Sequence, residues 1–256
     1  LWKQCDEIAK LAQILVFPRK NEDLSKENVE KFNMIIINGE HRDDASTNIR
    51  GFKEIDIPWA VIDYIEKNDL YYIPGLKKWY GDRYEHVRSV ADLSYKIAKS
   101  NGFNPQKAYI AGFLHDLGKN VYITENDKNY SSEINFLNTY RDGIFKDLPL
   151  YAVHQVLGVY YAKKDYGIED EKILNAILWH CTGNEQMNWI EKIVYAADKI
   201  DPSRGYDSSK LIQAMMDDLD RGFVTVLKAN IDYIHPKMVK NGENKFTNKC
   251  IEYYLK

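Results

Sequence analysis

From about residue 82 onward, nearly every segment of the chain sets apolar residues at helical spacing, and several of those stripes carry an ionisable residue in line with them. In "HVRSVADLSYKIA", His86, Val90, Leu93 and Ile97 fall at i, i+4, i+7 and i+11, so His86 tops the stripe and points to the core. "VHQVLGVYYA" puts His154 on one face with Leu157, Gly158 and Tyr161, and "ILNAILWH" aligns His180 with Ile173, Ala176 and Ile177. "IEKIVYAADKI" aligns Asp198 with Ile190, Val194 and Ala197, and "AGFLHDLGKN" ends an apolar helix on adjacent His115 and Asp116, with Lys119 three residues on. The pattern predicts an all-α region in which separate helical segments send candidate ligands to one place.

Burying those groups without compensation costs several kcal/mol for each charge, so the carboxylates must be paired, protonated or bound to metal. Imidazoles mixed with carboxylates suit first-row transition ions such as iron, manganese, zinc or cobalt, whereas magnesium prefers oxygen alone. Six ligands exceed what one four-coordinate ion takes; with Asp116 bridging, two metals can share His86, His115, Asp198, His154 and His180. A lone His on an apolar face is more often a hydrogen-bonded core residue, and "HD" alone is weak. The spacing of the whole set is what favours a metal centre. His41 in "GEHRDD" reads as solvated, His235 in "YIHPK" as a loop or helix-end residue, and Cys181 as structural, about 100° round a helix from His180.

The chain has 256 residues, 45% of them hydrophobic, enough for one large core or two smaller ones. Its net charge of -3 supplies no field to gather nucleic acid or anionic lipid, so an anionic substrate must be held by a local site. Cys5, Cys181 and Cys250 share no metal or disulfide spacing and read as reduced thiols in a cytoplasm. Runs such as "MIII" fall far short of the ~20 residues that span a bilayer, so no membrane partner is expected. The chain starts at Leu1 rather than Met, which implies further sequence upstream. Organisation changes near residue 75. Before it, "AQILVFPR" and "MIIING" read as short buried strands and "IPWAVIDYIEKN" as a helix; two strands alone make no stable sheet. The segment 120–150 reads as a polar surface excursion.

"RYEHV", "AGFLHDLGK", "EDEKILNAILWHCTGN", "EKIVYAADKIDPSR" and "IHP" resemble the HD-domain metal-dependent phosphohydrolases, more narrowly the bacterial family that cleaves diadenosine tetraphosphate symmetrically to two ADP. The resemblance covers about residues 80–256 and implies a dinuclear centre, usually iron. By that resemblance His86, His115, Asp116 and Asp198 hold one metal, and Asp116, His154 and His180 the other. Arg83, Lys119, Thr182, Gly183 and Arg204 fall at positions expected to line the phosphate or nucleoside site, with Asp116 and Lys119 in catalytic roles. Cys181 and Asp201 depart from the family's usual Thr and Glu and are expected to bear on substrate contacts, not on metal ligands.

Residues 1–74 carry a second resemblance, to the C-terminal half of bacterial nicotinate-nucleotide adenylyltransferases, through Ala45, Ser46, Thr47, Asn48, Ile49 and Arg50 in place of that family's "SSTxIR". Ser46 and Thr47 would cap a helix facing ATP phosphate, with Arg50 adding a cation; an ordinary N-cap explains them equally well. The family's His-x-Gly-His motif is absent from the chain, so adenylyl transfer by these residues is not expected. The expected fold is therefore mainly α: an all-helical HD domain at 75–256 behind an incomplete α/β, Rossmann-like nucleotidyltransferase segment at 1–74. The expected partner is a dinucleoside polyphosphate or another nucleotide, and a homodimer is compatible with the reading. The alternatives are an HD enzyme acting on a mononucleotide or cyclic nucleotide, a sensing module without turnover, and a role subordinate to NAD biosynthesis by a fused domain.

Overall fold

The computed structural model describes residues 4–17, 24–37, 49–52, 57–121, 123, 128–241 and 244–256. The chain divides into two compact units, Leu1–Thr47 and Asn48–Lys256. The first contains α1 (Cys5–Leu11), β1 (Leu15–Val16), α2 (Lys26–Lys31) and β2 (Ile35–Ile36). The strands pair in parallel, Leu15 opposite Ile35 and Val16 opposite Ile36, as a connection through a helix requires. Ser25 starts α2 by accepting a hydrogen bond from the Asn28 amide at 3.2 Å. Both expected strands are present but only two residues long each, and they are not buried: Leu15, Ile35 and Ile36 are exposed. Ala45 to Asn48 and His41 lie outside the described residues, so the adenylyltransferase-like motif is represented by Ile49 and Arg50 alone.

Among its described residues the second unit has helices and no strand. Its helices are α3 (Trp59–Lys67), α4 (Ile73–Tyr80), α5 (Tyr84–Ser100), α6 (Pro105–Leu114), α7 (Ser131–Thr139) and α8 (His154–Tyr166). They continue with α9 (Glu171–Trp179), α10 (Trp189–Ile200), α11 (Ser209–Asp217), α12 (Leu219–Asn241) and α13 (Lys245–Tyr254). Residue 235, expected in a loop or at a helix end, falls inside α12. The unit begins some 27 residues before the composition change at residue 75. Ile62, Ile65 and Ile73 are buried in its core, and the Phe52 ring packs 4.2 Å from Tyr72 and 5.9 Å from Phe113. An amphipathic helix buries its stripe on the nearest apolar surface, whatever its origin. No helix of the described residues is long and apolar enough to cross a membrane.

Polar residues between the helices act as helix caps. Asn104 accepts from the Lys107 amide at 3.0 Å with Pro105 in the first turn of α6, Asp170 caps α9, and Asn188 with Glu191 forms a capping box on α10. Two glycines then set how closely elements approach. A Cβ on Gly112 would lie 2.9 Å from the Ala91 Cα, so its absence lets α6 lie against α5. A Cβ on Gly118 would lie 2.2 Å from the His154 carbonyl oxygen, so only glycine lets the turn after α6 meet the start of α8.

Candidate metal centre

Those close approaches bring six ionisable side chains together. His86 sits on the inner face of α5, in line with buried Val90, Leu93 and Ile97 as the spacing predicts. His115 and His180 lie one residue past the ends of α6 and α9, still with helical backbone angles, and His154 opens α8. This differs from the mid-helix stripes of the sequence reading, and the reason is chemical. The last carbonyls of a helix have no partner within it. The Nδ1 of His115 meets the Gly112 carbonyl at 2.6 Å, and that of His180 meets the Ile177 carbonyl at 2.7 Å. His154 repeats the bond to Tyr151 O at 2.7 Å, in each case three residues back.

A carbonyl only accepts, so each of these rings carries its proton on Nδ1 and turns the Nε2 lone pair inward. His86 Nδ1 faces Asp201 Oδ2 at 3.1 Å and its Nε2 lies 3.2 Å from Asp198 Oδ1. Asp116 lies between two groups: its Oδ1 is 3.4 Å from both His154 Nε2 and His180 Nε2, and its Oδ2 is 3.8 Å from His115 Nε2. His115 Nε2 is also 3.8 Å from Asp198 Oδ1. Two triads, His86 with His115 and Asp116, and Asp116 with His154 and His180, each gather their donor atoms within 4.8 Å and share Asp116.

The donor set fits divalent metal. His115 Nε2 is fully buried and has no hydrogen-bond partner, which is costly for a polar atom that nothing binds. Burial lowers the His115 pKa and brings that of His180 down to about 3, so both stay neutral and ready to ligate. Burial alone would raise Asp116 and Asp198, but histidines around Asp116 and Lys199 with His86 beside Asp198 hold both well below the usual carboxylate range. Burial likewise opposes protonation of His86, yet its hydrogen bonds to Asp198 and Asp201 carry it up to about 9. The two carboxylates that flank its ring favour positive charge at that position.

The expected substrate residues divide. Arg83 stands at the rim, its side chain 42% exposed and Nη1 3.5 Å from Asp116 Oδ2. Lys119 is partly buried one turn beyond Asp116, its amide donating to the Asp116 carbonyl at 2.9 Å. Arg204 turns inward: Nη2 lies 2.7 Å from Asp198 Oδ1 and Nε donates to the Asp198 carbonyl. Thr182 and Gly183, expected near the substrate, are buried. The Thr182 amide and hydroxyl are committed to Gln155 Oε1, and Gly183 packs against Cys250. Asp201, expected to bear on substrate, touches His86 instead. Two residues escaped the sequence reading altogether. Lys199 Nζ reaches Asp198 Oδ2 at 2.7 Å and the His180 carbonyl at 2.9 Å. Gln155 accepts from the amides of Cys181 and Thr182, fixing the turn that follows His180.

The family model described as HD domain matches residues 83–203, an interval that contains all six of these side chains. The chain is 28% identical over 238 residues to the probable nicotinate-nucleotide adenylyltransferase/Ap4A hydrolase of Mycoplasma genitalium, spanning 89% of itself and 65% of that relative's length. It is 32% identical over 157 residues to the symmetrical bis(5'-nucleosyl)-tetraphosphatase of Halalkalibacterium halodurans, covering 60% of itself and 80% of that protein. Among solved structures, a predicted HD superfamily hydrolase involved in NAD metabolism from Clostridium acetobutylicum matches with a TM-score of 0.57 at 27% identity, over 76% of this chain and 96% of that one.

Proposed function

The chain belongs to the HD-domain family, and from that premise we propose that its centre hydrolyses diadenosine tetraphosphate symmetrically to two molecules of ADP. The observation that carries this reading is the convergence of four Nε2 atoms, each with its Nδ1 engaged elsewhere, on Asp116 and Asp198. We assign His86, His115, Asp116 and Asp198 to one divalent ion and Asp116, His154 and His180 to a second. Iron is the proposed metal, with manganese, cobalt and zinc the other candidates that this donor set admits. When bound, such a pair stabilises charge on phosphoryl oxygens and makes a water acidic enough to attack near neutral pH.

The chain's own residues position and neutralise. In symmetric cleavage the water oxygen bonds to one of the two central phosphorus atoms, and the bond from that phosphorus to the oxygen bridging the pair breaks. The electron pair leaves with one ADP, and the water's proton passes to solvent. The leaving group is a phosphate anion and needs no acid to protonate it, which suits a site whose His115 and His180 are held neutral. Arg83, at the rim, can fork onto a phosphate, and Lys119 stands one turn from Asp116 to neutralise developing charge. Arg204 and Lys199 act through Asp198, fixing its two oxygens.

We also propose that residues 1–74 derive from the C-terminal part of a nucleotidyltransferase-like domain and that 75–256 form the phosphohydrolase. The parallel β1–β2 pair and the likeness to the two-activity relative support this. The test of the reaction is anaerobic incubation with diadenosine tetraphosphate and ferrous iron or manganese, the products resolved by anion exchange. ADP alone is the expected product; AMP with ATP, or no turnover by metal-loaded protein, would overturn the assignment.

A further inference from the structure

Lys199 and Arg204, which both grip Asp198, also line a cleft of about 530 Å³, a size that encloses a small organic ligand. The cleft gathers Tyr206 and Asp207 from the loop after α10, Leu211 of α11, and Val226 and Asn230 of α12. Its chemistry is graded. Two cations stand at the end beside the centre, while the remainder offers an aromatic ring, aliphatic carbons and a neutral amide. Asp207 repels phosphate from that remainder. A nucleotide has the same gradation, from charged phosphates to a flat base with a hydrogen-bonding edge.

We propose that this cleft seats one nucleoside of the substrate, with a purine against Tyr206 and its edge read by Asn230; this rests on the reaction proposed above. The Tyr206 hydroxyl donates to the Lys199 carbonyl, so the ring is anchored to the backbone next to Asp198 while the residue stays 49% exposed. An anchored, accessible ring is what stacking on a base requires. The Asn230 Nδ2 lies 3.5 Å from Tyr195 Oη. One N–H used there leaves Asn230 a carbonyl oxygen and a second N–H. That pair complements the N6 donor and N7 acceptor of adenine, whereas guanine presents two acceptors at the equivalent edge. The cleft therefore prefers adenine.

The experiment is calorimetric binding of ADP, GDP and inorganic diphosphate to the manganese-loaded full chain and its Tyr206→Ala, Tyr206→Phe and Asn230→Leu variants. Tyr206→Ala is expected to weaken ADP by about ten- to a hundredfold, the worth of one stacked base, and to leave diphosphate within about twofold. Tyr206→Phe keeps the ring but loses its anchoring hydroxyl and should bind ADP more weakly than the parent and more tightly than Tyr206→Ala. Asn230→Leu should shrink the preference for ADP over GDP. ADP affinity unchanged in both Tyr206→Ala and Asn230→Leu, or ADP and diphosphate weakened alike by Tyr206→Ala, would overturn the proposal. Failure of the parent protein to turn over diadenosine tetraphosphate would sink the reaction instead, and would leave this binding comparison readable.

Discussion

The Nε2 atoms of His154 and His180 face one another at 3.1 Å, each 3.4 Å from Asp116 Oδ1. Both rings donate from Nδ1 to a backbone carbonyl, so neither neutral ring has a proton on Nε2 to offer the other. Two lone pairs and a carboxylate oxygen at those distances repel until a cation lies among them. His180, its pKa brought down to about 3 by burial, does not carry that charge as a proton at neutral pH, and a metal ion fits the place.

Metal should therefore stabilise the fold. At a hundredfold excess over the dissociation constant, binding to the folded state alone contributes about 2.7 kcal/mol. For a helical unit of this size that is roughly 5–10 °C in melting temperature. Thermal unfolding before and after chelation and dialysis checks this; a melting curve indifferent to chelator would contradict it.

His154→Ala and Asp116→Ala should separate the two triads. Loss of His154 removes a donor from one group, loss of Asp116 a donor from both. Metal analysis by mass spectrometry should find less metal retained in Asp116→Ala than in His154→Ala. Phosphohydrolase activity should fall by more than ~100-fold in either, since even changes behind a ligand cost 10–100-fold.

Asp201→Asn should act on His86 and on Arg204, whose Nε lies 3.3 Å from the same oxygen. The Oδ2 that holds His86 Nδ1 loses its charge while the side chain keeps its shape, so metal affinity should drop about 10–100-fold with the fold intact. Competition against a fluorescent chelator reads the change, and an affinity equal to that of the parent would refute the orienting role.

Gly118→Ala should be among the most damaging single-methyl changes. Its Cβ would fall 2.2 Å from the His154 carbonyl oxygen and 2.7 Å from Leu157 Cβ, and forced overpacking typically costs about 1–3 kcal/mol. Denaturant unfolding measures the loss. Metal affinity should fall in parallel, because α8 must retreat and take His154 with it.

Glu66, away from the centre, makes stability pH-dependent. Burial is the main cause that raises its pKa from 4.5 to about 7, and the Tyr109 hydroxyl donates to it. The folded state holds this proton more tightly than the unfolded state, so the contribution is complete below pH 4.5 and is lost as pH rises toward 7. The shift corresponds to about 3 kcal/mol. Glu66→Gln should flatten that slope and leave the protein more stable than the parent at pH 8, as denaturant titrations across this range would reveal.

What was legible in the sequence was whatever depends on local spacing. His86 in line with Val90, Leu93 and Ile97 follows from periodicity, and the adjacent His115 and Asp116 at the end of an apolar helix from a short motif. Contacts between distant segments were not legible. Asp201 meets His86 across 115 positions, and Lys199 reaches the His180 carbonyl from a helix whose stripe points elsewhere. The contacts of Thr182 and Gly183 were not legible either, because a motif beside a buried His looks the same whatever it packs against, here Gln155 and Cys250. The extent of the second compact unit was not legible for a similar reason: composition records where a segment's character changes, while packing decides which core Phe52 and Ile62 join.

Three of the four imidazoles are aimed by main-chain carbonyls, at Gly112, Tyr151 and Ile177. Every residue type carries a carbonyl, so no point substitution at those three positions can delete the acceptor. Among the described residues, only His86 is aimed by a side chain, Asp201. Sequence drift around the centre can therefore alter the electronic character of one imidazole far more readily than that of the other three. Divergence in metal preference, or its deliberate redesign, has its natural entry point at position 201.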